Sequence, residues 1–133
     1  MKIRQGLCHS GFTMIEVLIV LIILASLAAI AIPLYKKNTN AAEKAEALIT
    51  LGAIRQSEIR YYTLKTPNTY AGAIGDLDFD PTFVAPGVTP KFAYGITAST
   101  ATTFTATATG QAGAASDGKT VTLTEAGAVG GTF

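Results

Sequence analysis

Residues 12–32 read FTMIEVLIVLIILASLAAIAI, an apolar run broken by one carboxylate, Glu16. As a helix, 21 residues rise about 31 Å. That matches a bilayer hydrocarbon core of about 30 Å. Eleven of the residues from Val17 to Ile32 are Leu, Ile or Val. They favour insertion by about −3 to −6 kcal/mol together, against about +2.5 to +3.5 kcal/mol for an acid at the membrane centre. Glu16 lies near the end of the run, where the opposing term is smaller. Insertion therefore wins. A carboxylate in hydrocarbon still needs a reason, and an intramembrane acid is a functional residue by default.

The flanks give the run its setting. Residues 1–11, MKIRQGLCHSG, are short, polar and basic. Pro33 follows the run; it lacks an N–H and crowds the preceding turn, which predicts a kink. Residues 36–65 read as an amphipathic helix, free of proline and rich in Ala, Glu, Lys, Leu and Ile over 41–65. At about 100° per residue, Ala45, Leu48, Ile49, Gly52 and Ile59 gather on one side. Ala47, Leu51, Ile54, Tyr61 and Tyr62 gather nearly opposite, and Glu46, Thr50, Ser57 and Arg60 form a polar stripe between. A helix in a simple two-layer domain needs one apolar face. Two faces predict two partners: the chain's own domain and something else.

Residues 66–90 carry Pro, Gly, Asn and Asp and read as a long loop, with a short structured piece near YAGAI. Alternation follows. Phe92, Tyr94 and Ile96 share one face; Phe104, Ala106 and Ala108 share one, with threonines opposite; Val121 and Leu123 share one. Period-2 patterns of Thr, Phe, Tyr and Val predict half-buried strands. ASTA and GQAGAASDG serve as turns, and the Gly-rich tail EAGAVGGTF reads as irregular. The expected fold is α+β: a long N-terminal helix whose second half covers a three-stranded antiparallel sheet.

Composition excludes several functions. The net charge is +1, which leaves no nucleic-acid footprint. Cys8 and His9 are the only Cys and His. A chain cut after Gly11 keeps neither, so disulfides, Cys/His metal sites and Cys- or His-based catalysis are all excluded. Losing Lys2 and Arg4 as well leaves eight basic residues beside nine acidic ones. No nucleophile motif or phosphate loop is present, and Glu46, Glu58 and Asp117 form no visible catalytic pairing. Asp76, Asp78 and Asp80 alternate like the start of a calcium loop, but Pro81 stands where glycine is needed and no Glu follows in register. They read as a solvated acidic loop. Tyr61, Tyr62, Tyr70 and Tyr94 read as a packed seam between helix, loop and sheet, more economically than as a conducting path. No cofactor is expected.

The stretch GFTMIEVLIVLIILASLAAIAIP closely resembles the N-terminus of type IV pilins and type II secretion pseudopilins. The basic leader, the glycine before an aromatic, the glutamate at the fifth mature position and the apolar run ending near a proline carry the resemblance. It is specific over residues 1–36 and architectural beyond. Met14 stands where that group more often has Leu. The resemblance implies a leader (1–11), a transmembrane assembly helix (12–35), an amphipathic helix (36–65) and the rest of a globular head (66–133). It implies that prepilin peptidase cuts after Gly11 and methylates the new Phe12 amine. Glu16 would then pair with the Phe12 amine of an adjoining copy, neutralising both buried charges. The implied partners are further copies in a helical filament, prepilin peptidase, an inner-membrane assembly platform, and lipid before assembly. The implied location is the inner membrane, with the head in the periplasm or outside, and later an extracellular or periplasmic filament. One feature departs from the resemblance: many major pilins close a C-terminal disulfide, which this chain lacks once cut. Many major pseudopilins bind calcium near their C-terminus, which keeps calcium binding at Asp76, Asp78 and Asp80 as the alternative to a solvated loop. The competing class is a secreted soluble module cut at the small-residue segment Ala29–Ala31. An unprocessed single-pass anchor is a third reading. Charge does not orient the span, because Lys36 and Lys37 balance Lys2 and Arg4.

Overall fold

The computed structural model describes residues 11–81 and 89–133. Lys2, Arg4, Cys8, His9 and the rest of the leader before Gly11 lie outside the described residues, as do residues 82–88 of the long loop. One helix, α1, runs from Met14 to Leu64, followed by a short 3-10 turn at Ile74–Asp76. Four strands follow: β1 (Phe92–Ser99), β2 (Phe104–Gly110), β3 (Thr120–Thr124) and β4 (Val129–Gly131). They form one antiparallel sheet in the order β1-β2-β3-β4. The chain divides into two compact units, one ending at Tyr35 and the other beginning at Lys36.

In the first unit, α1 begins behind Thr13. The Glu16 N–H donates to Thr13 Oγ1 at 3.3 Å, and the Val17 N–H to the Thr13 carbonyl at 3.3 Å. Thr13 is thus the N-cap, and Thr-Met-Ile-Glu has the spacing of a capping box. Ser26 is the one hydroxyl between Val17 and Ile32, and it donates to the Ile23 carbonyl at 2.7 Å. That bond lets a polar side chain sit in an apolar setting without an outside partner. Pro33 lies inside α1.

The second unit has its own core. Ala47, Leu51 and Ile54 of α1 are fully buried with Phe92, Phe104, Ala106, Ala108, Val121 and Leu123 of the sheet. This is the Ala47/Leu51/Ile54 face expected from the helical wheel. The alternation of β2 and β3 also holds, with Phe104, Ala106, Ala108, Val121 and Leu123 inward. Tyr70, Ile74, Leu77 and Phe79 of the loop pack against the same core. The opposite helix face is mixed: Ile49 is 76% exposed, but Leu48 leans onto the core.

Two expectations need correction. Ser57, placed on the polar stripe, is buried. Its Oγ accepts from Arg60 Nη2 at 2.8 Å, and the same guanidinium binds Asp78, so the loop folds over it. The sheet has four strands, not three. The tail pairs with β3, Thr122 opposite Gly130 and Val121 opposite Gly131. Gly131 has φ 123°, and a Cβ there would collide with the Thr120 carbonyl. The glycines that made the tail look irregular are what let it dock so closely.

Candidate functional site

Gly11 and Phe12 precede α1, and both are exposed; a Cβ built on Gly11 meets open space. Phe12 is 77% exposed. Glu16 stands in the first turn, also exposed, with its backbone rather than its carboxylate engaged by Thr13. An acid in that turn is favoured by the helix dipole. Phe12 and Glu16 are therefore neighbours along one chain, and Glu16 has no ion pair among the described residues. Pro33 leaves the Ala29 carbonyl without its usual donor. From Met14 to Leu34 every large apolar side chain is exposed, on all sides of the helix. The helix is long and apolar enough to cross a membrane.

The head carries polar side chains of a different kind. Glu58 is fully buried. Its Oε2 accepts the Ala71 N–H at 2.9 Å, and its Oε1 has no partner. Burial pushes its carboxyl pKa up; the Ala71 bond works against that, and Asp76 adds to the rise. Glu58 continues the Ala47/Leu51/Ile54 face at the next helical interval, a signal present in the sequence. Asp78 is engaged by Arg60 through both oxygens, at 2.8 and 3.0 Å. Glu46 holds Lys91 at 2.9 Å. Among the described residues no three His, Cys, Asp or Glu side chains come together as metal ligands.

The tyrosines sit in packed aromatic contacts. Tyr62 stacks on Tyr70 with centroids 4.7 Å apart, and Tyr70 tilts onto Phe104 at 4.9 Å. Tyr94 lies 6.2 Å from Phe92, and Tyr61 lies under the Lys65 ammonium. Tyr62, Tyr70 and Tyr94 form the expected seam of helix, loop and sheet, whereas Tyr61 contacts Lys65 of its own helix.

Residues 7–32 match the family model described as the prokaryotic N-terminal methylation motif. A fimbrial protein of Neisseria meningitidis serogroup A / serotype 4A is 33% identical over 80 residues. That stretch covers 57% of this chain and 47% of the relative, so the chain spans about half the length of the curated relative it matches. No solved structure matches. Residues 7–32 thus carry a prokaryotic N-terminal methylation motif.

Proposed function

We propose that this chain is a structural subunit of a type IV pilus or pilus-like filament. Prepilin peptidase cuts after Gly11 and methylates Phe12, and the mature subunit polymerises from the inner membrane through an assembly platform. The observation that carries the reading is the methylation motif on a helical segment, Met14 to Leu34, exposed on every side. A helix apolar all round needs lipid or other helices around it. In the membrane it has lipid; in a filament it has copies of itself. Glu16 then pairs with the Phe12 amine of an adjoining copy, and this pairing sets the register of entry. The missing donor at Pro33 makes the turns from Ala29 to Tyr35 the place where α1 unwinds on assembly. The protein's role on this reading is mechanical, not enzymatic.

A pseudopilin of type II secretion shares this N-terminus. The pilus reading is preferred because the similar relative is a fimbrial protein. Mass spectrometry of the mature chain tests the core of the proposal. The expected N-terminus is methylated Phe12; one at Ile32 would instead mark a signal peptide and a soluble module. Gly11→Val is expected to leave full-length precursor in the membrane and no filaments. Wild-type-like mature product from that variant would overturn the processing site.

A further inference from the structure

Lys36 and Lys37 are the only charged residues between Glu16 and Glu43. Both are exposed, and neither makes an ion pair among the described residues. The next acids along α1 are engaged elsewhere. Glu46 holds Lys91 at 2.9 Å, and Glu43 is buried and acts on the same Lys91 ammonium. Two adjacent cations thus open the second unit with no counter-charge among the described residues. Neighbouring residues on a helix point about 100° apart and do not face each other. The pair therefore suits two anions side by side better than one enclosed anion.

Chain connectivity limits how far these cations lie from the apolar run. The 21 residues from Phe12 to Ile32 account for the whole hydrocarbon core as a helix. Lys36 and Lys37 follow Ile32 by four and five residues. Five residues rise about 8 Å as a helix and reach at most about 18 Å fully extended. The headgroup layer beyond the core is about 5–8 Å deep, and the Debye length is about 10 Å at 0.1 M salt. Whatever angle the two units take, the lysines stay within the electrostatic reach of that layer. Their four-carbon stems also let the ammoniums lean back toward it. Tyr35, which ends the first unit, is 73% exposed, and tyrosine at the end of a span favours the headgroup level.

We infer that Lys36 and Lys37 bind the phosphates of anionic phospholipids on the head side of the membrane before assembly. The inference rests on the filament reading above, in which the subunit waits in the bilayer. An ammonium is a strongly hydrated point charge, so the pair reads the charge of the surface and not the shape of one headgroup. The contact holds the end of the span at the membrane surface, and it is broken when the subunit leaves the bilayer for the filament.

The full mature chain, reconstituted in vesicles of phosphatidylcholine and phosphatidylglycerol, tests this. Trace spin-labelled lipids report which lipid gathers at the protein. Phosphatidylglycerol is expected to be favoured about fivefold, the factor that about 1 kcal/mol per basic residue at an anionic surface gives. Lys36→Gln with Lys37→Gln is expected to abolish the preference. Lys65→Gln, past the far end of α1, is expected to leave it unchanged. Sodium chloride weakens it, and sodium phosphate at matched ionic strength weakens it no further. A preference that survives the double Gln variant would overturn the inference, and filaments lost in that variant would then assign the lysines to a second copy. A preference that falls as far with Lys65→Gln would overturn it as well. So would stronger displacement by phosphate than by chloride, which would mark a free-anion site. With methylated Phe12 as the mature N-terminus, each of these failures leaves the filament reading standing. An N-terminus at Ile32 would overturn that reading, and the membrane contact with it.

Discussion

The two units use the same residue types to opposite ends. In the first, Leu, Ile and Val from Val17 to Leu34 are 45–71% exposed, and no core forms among the described residues. In the second, Leu51, Ile54 and Val121 are at 0%, closed under one sheet. The first is a helix without a core of its own, and on the proposed reading it takes its surroundings from lipid or from other copies. The second supplies its own. Burial is therefore a property of the partner as much as of the side chain. Mutations in the two units are expected to fail in different assays.

Glu16→Val gives the largest expected effect, confined to assembly. The change removes a desolvation penalty, so insertion is equal or better. On the proposed pairing it also leaves the Phe12 amine of the adjoining copy unpaired, at about 3–5 kcal/mol per subunit added. Each 1.4 kcal/mol is about tenfold, so filament recovery by shearing collapses while cleavage and membrane level hold. The head's melting is unchanged. Normal filaments from this variant alone would reduce Glu16 to a helix-terminal acid placed by the Thr13 cap.

Core truncation reverses the pattern. Phe104→Ala is expected to destabilise the head by about 3–5 kcal/mol and Leu51→Ala by about 2–5 kcal/mol. Leu21→Ala, in the apolar run, leaves the head's melting where it was. The comparison fails if Leu21→Ala shifts denaturant unfolding of the head as much as Leu51→Ala does.

Much of this division is legible in the sequence. The apolar run announces itself by length, and Phe104–Ala106–Ala108 by alternation. The Ala47/Leu51/Ile54 face follows from helical spacing. What was missed has physical causes. β4 was hidden because Gly130 and Gly131 lower strand propensity, yet close approach to β3 requires them. The Thr13 cap is legible as Thr-x-x-Glu, the same Glu16 serving both the cap spacing and the carboxylate in the apolar run. Ser57 fell on the polar stripe because helical angle alone does not reveal that the Asp78 loop closes over it. Glu43 was unreadable as a buried acid, since its cover forms only when the 112–115 loop comes beside α1.

Glu58 tests the head's interior by pH. Its pKa is raised, so its contribution is complete below the ordinary carboxylate value and is lost as pH rises through the raised one. Glu58→Gln stays neutral and retains an acceptor for the Ala71 N–H. The melting difference, wild type minus Glu58→Gln, is expected to be most favourable in acid and to decline as pH rises. Glu58→Leu strands that N–H and is expected to lose about 1–3 kcal/mol. A pH-independent difference between wild type and Glu58→Gln would mean that Glu58 titrates as an exposed carboxylate.

Asp78 carries the smallest effect and the opposite sign. Arg60 grips both of its oxygens, and that bond, ahead of the one from Ser57, draws the Asp78 pKa down. A lowered carboxyl pKa gives stability that is present above the ordinary value and lost as pH falls through the lowered one. Both partners are more than half exposed, at 53% and 61%, so water and salt screen the pair. Asp78→Asn keeps the shape and removes the charge. Its melting temperature is expected to fall slightly below wild type at neutral pH and low salt. The gap closes in acid, where wild-type Asp78 is protonated as well, and narrows in high salt. Glu58 and Asp78 flank the same loop closure, so their opposite slopes separate the buried contact from the exposed one. An Asp78→Asn deficit that survives both acid and high salt would show that the contact holds the loop through geometry alone, with the charge contributing nothing.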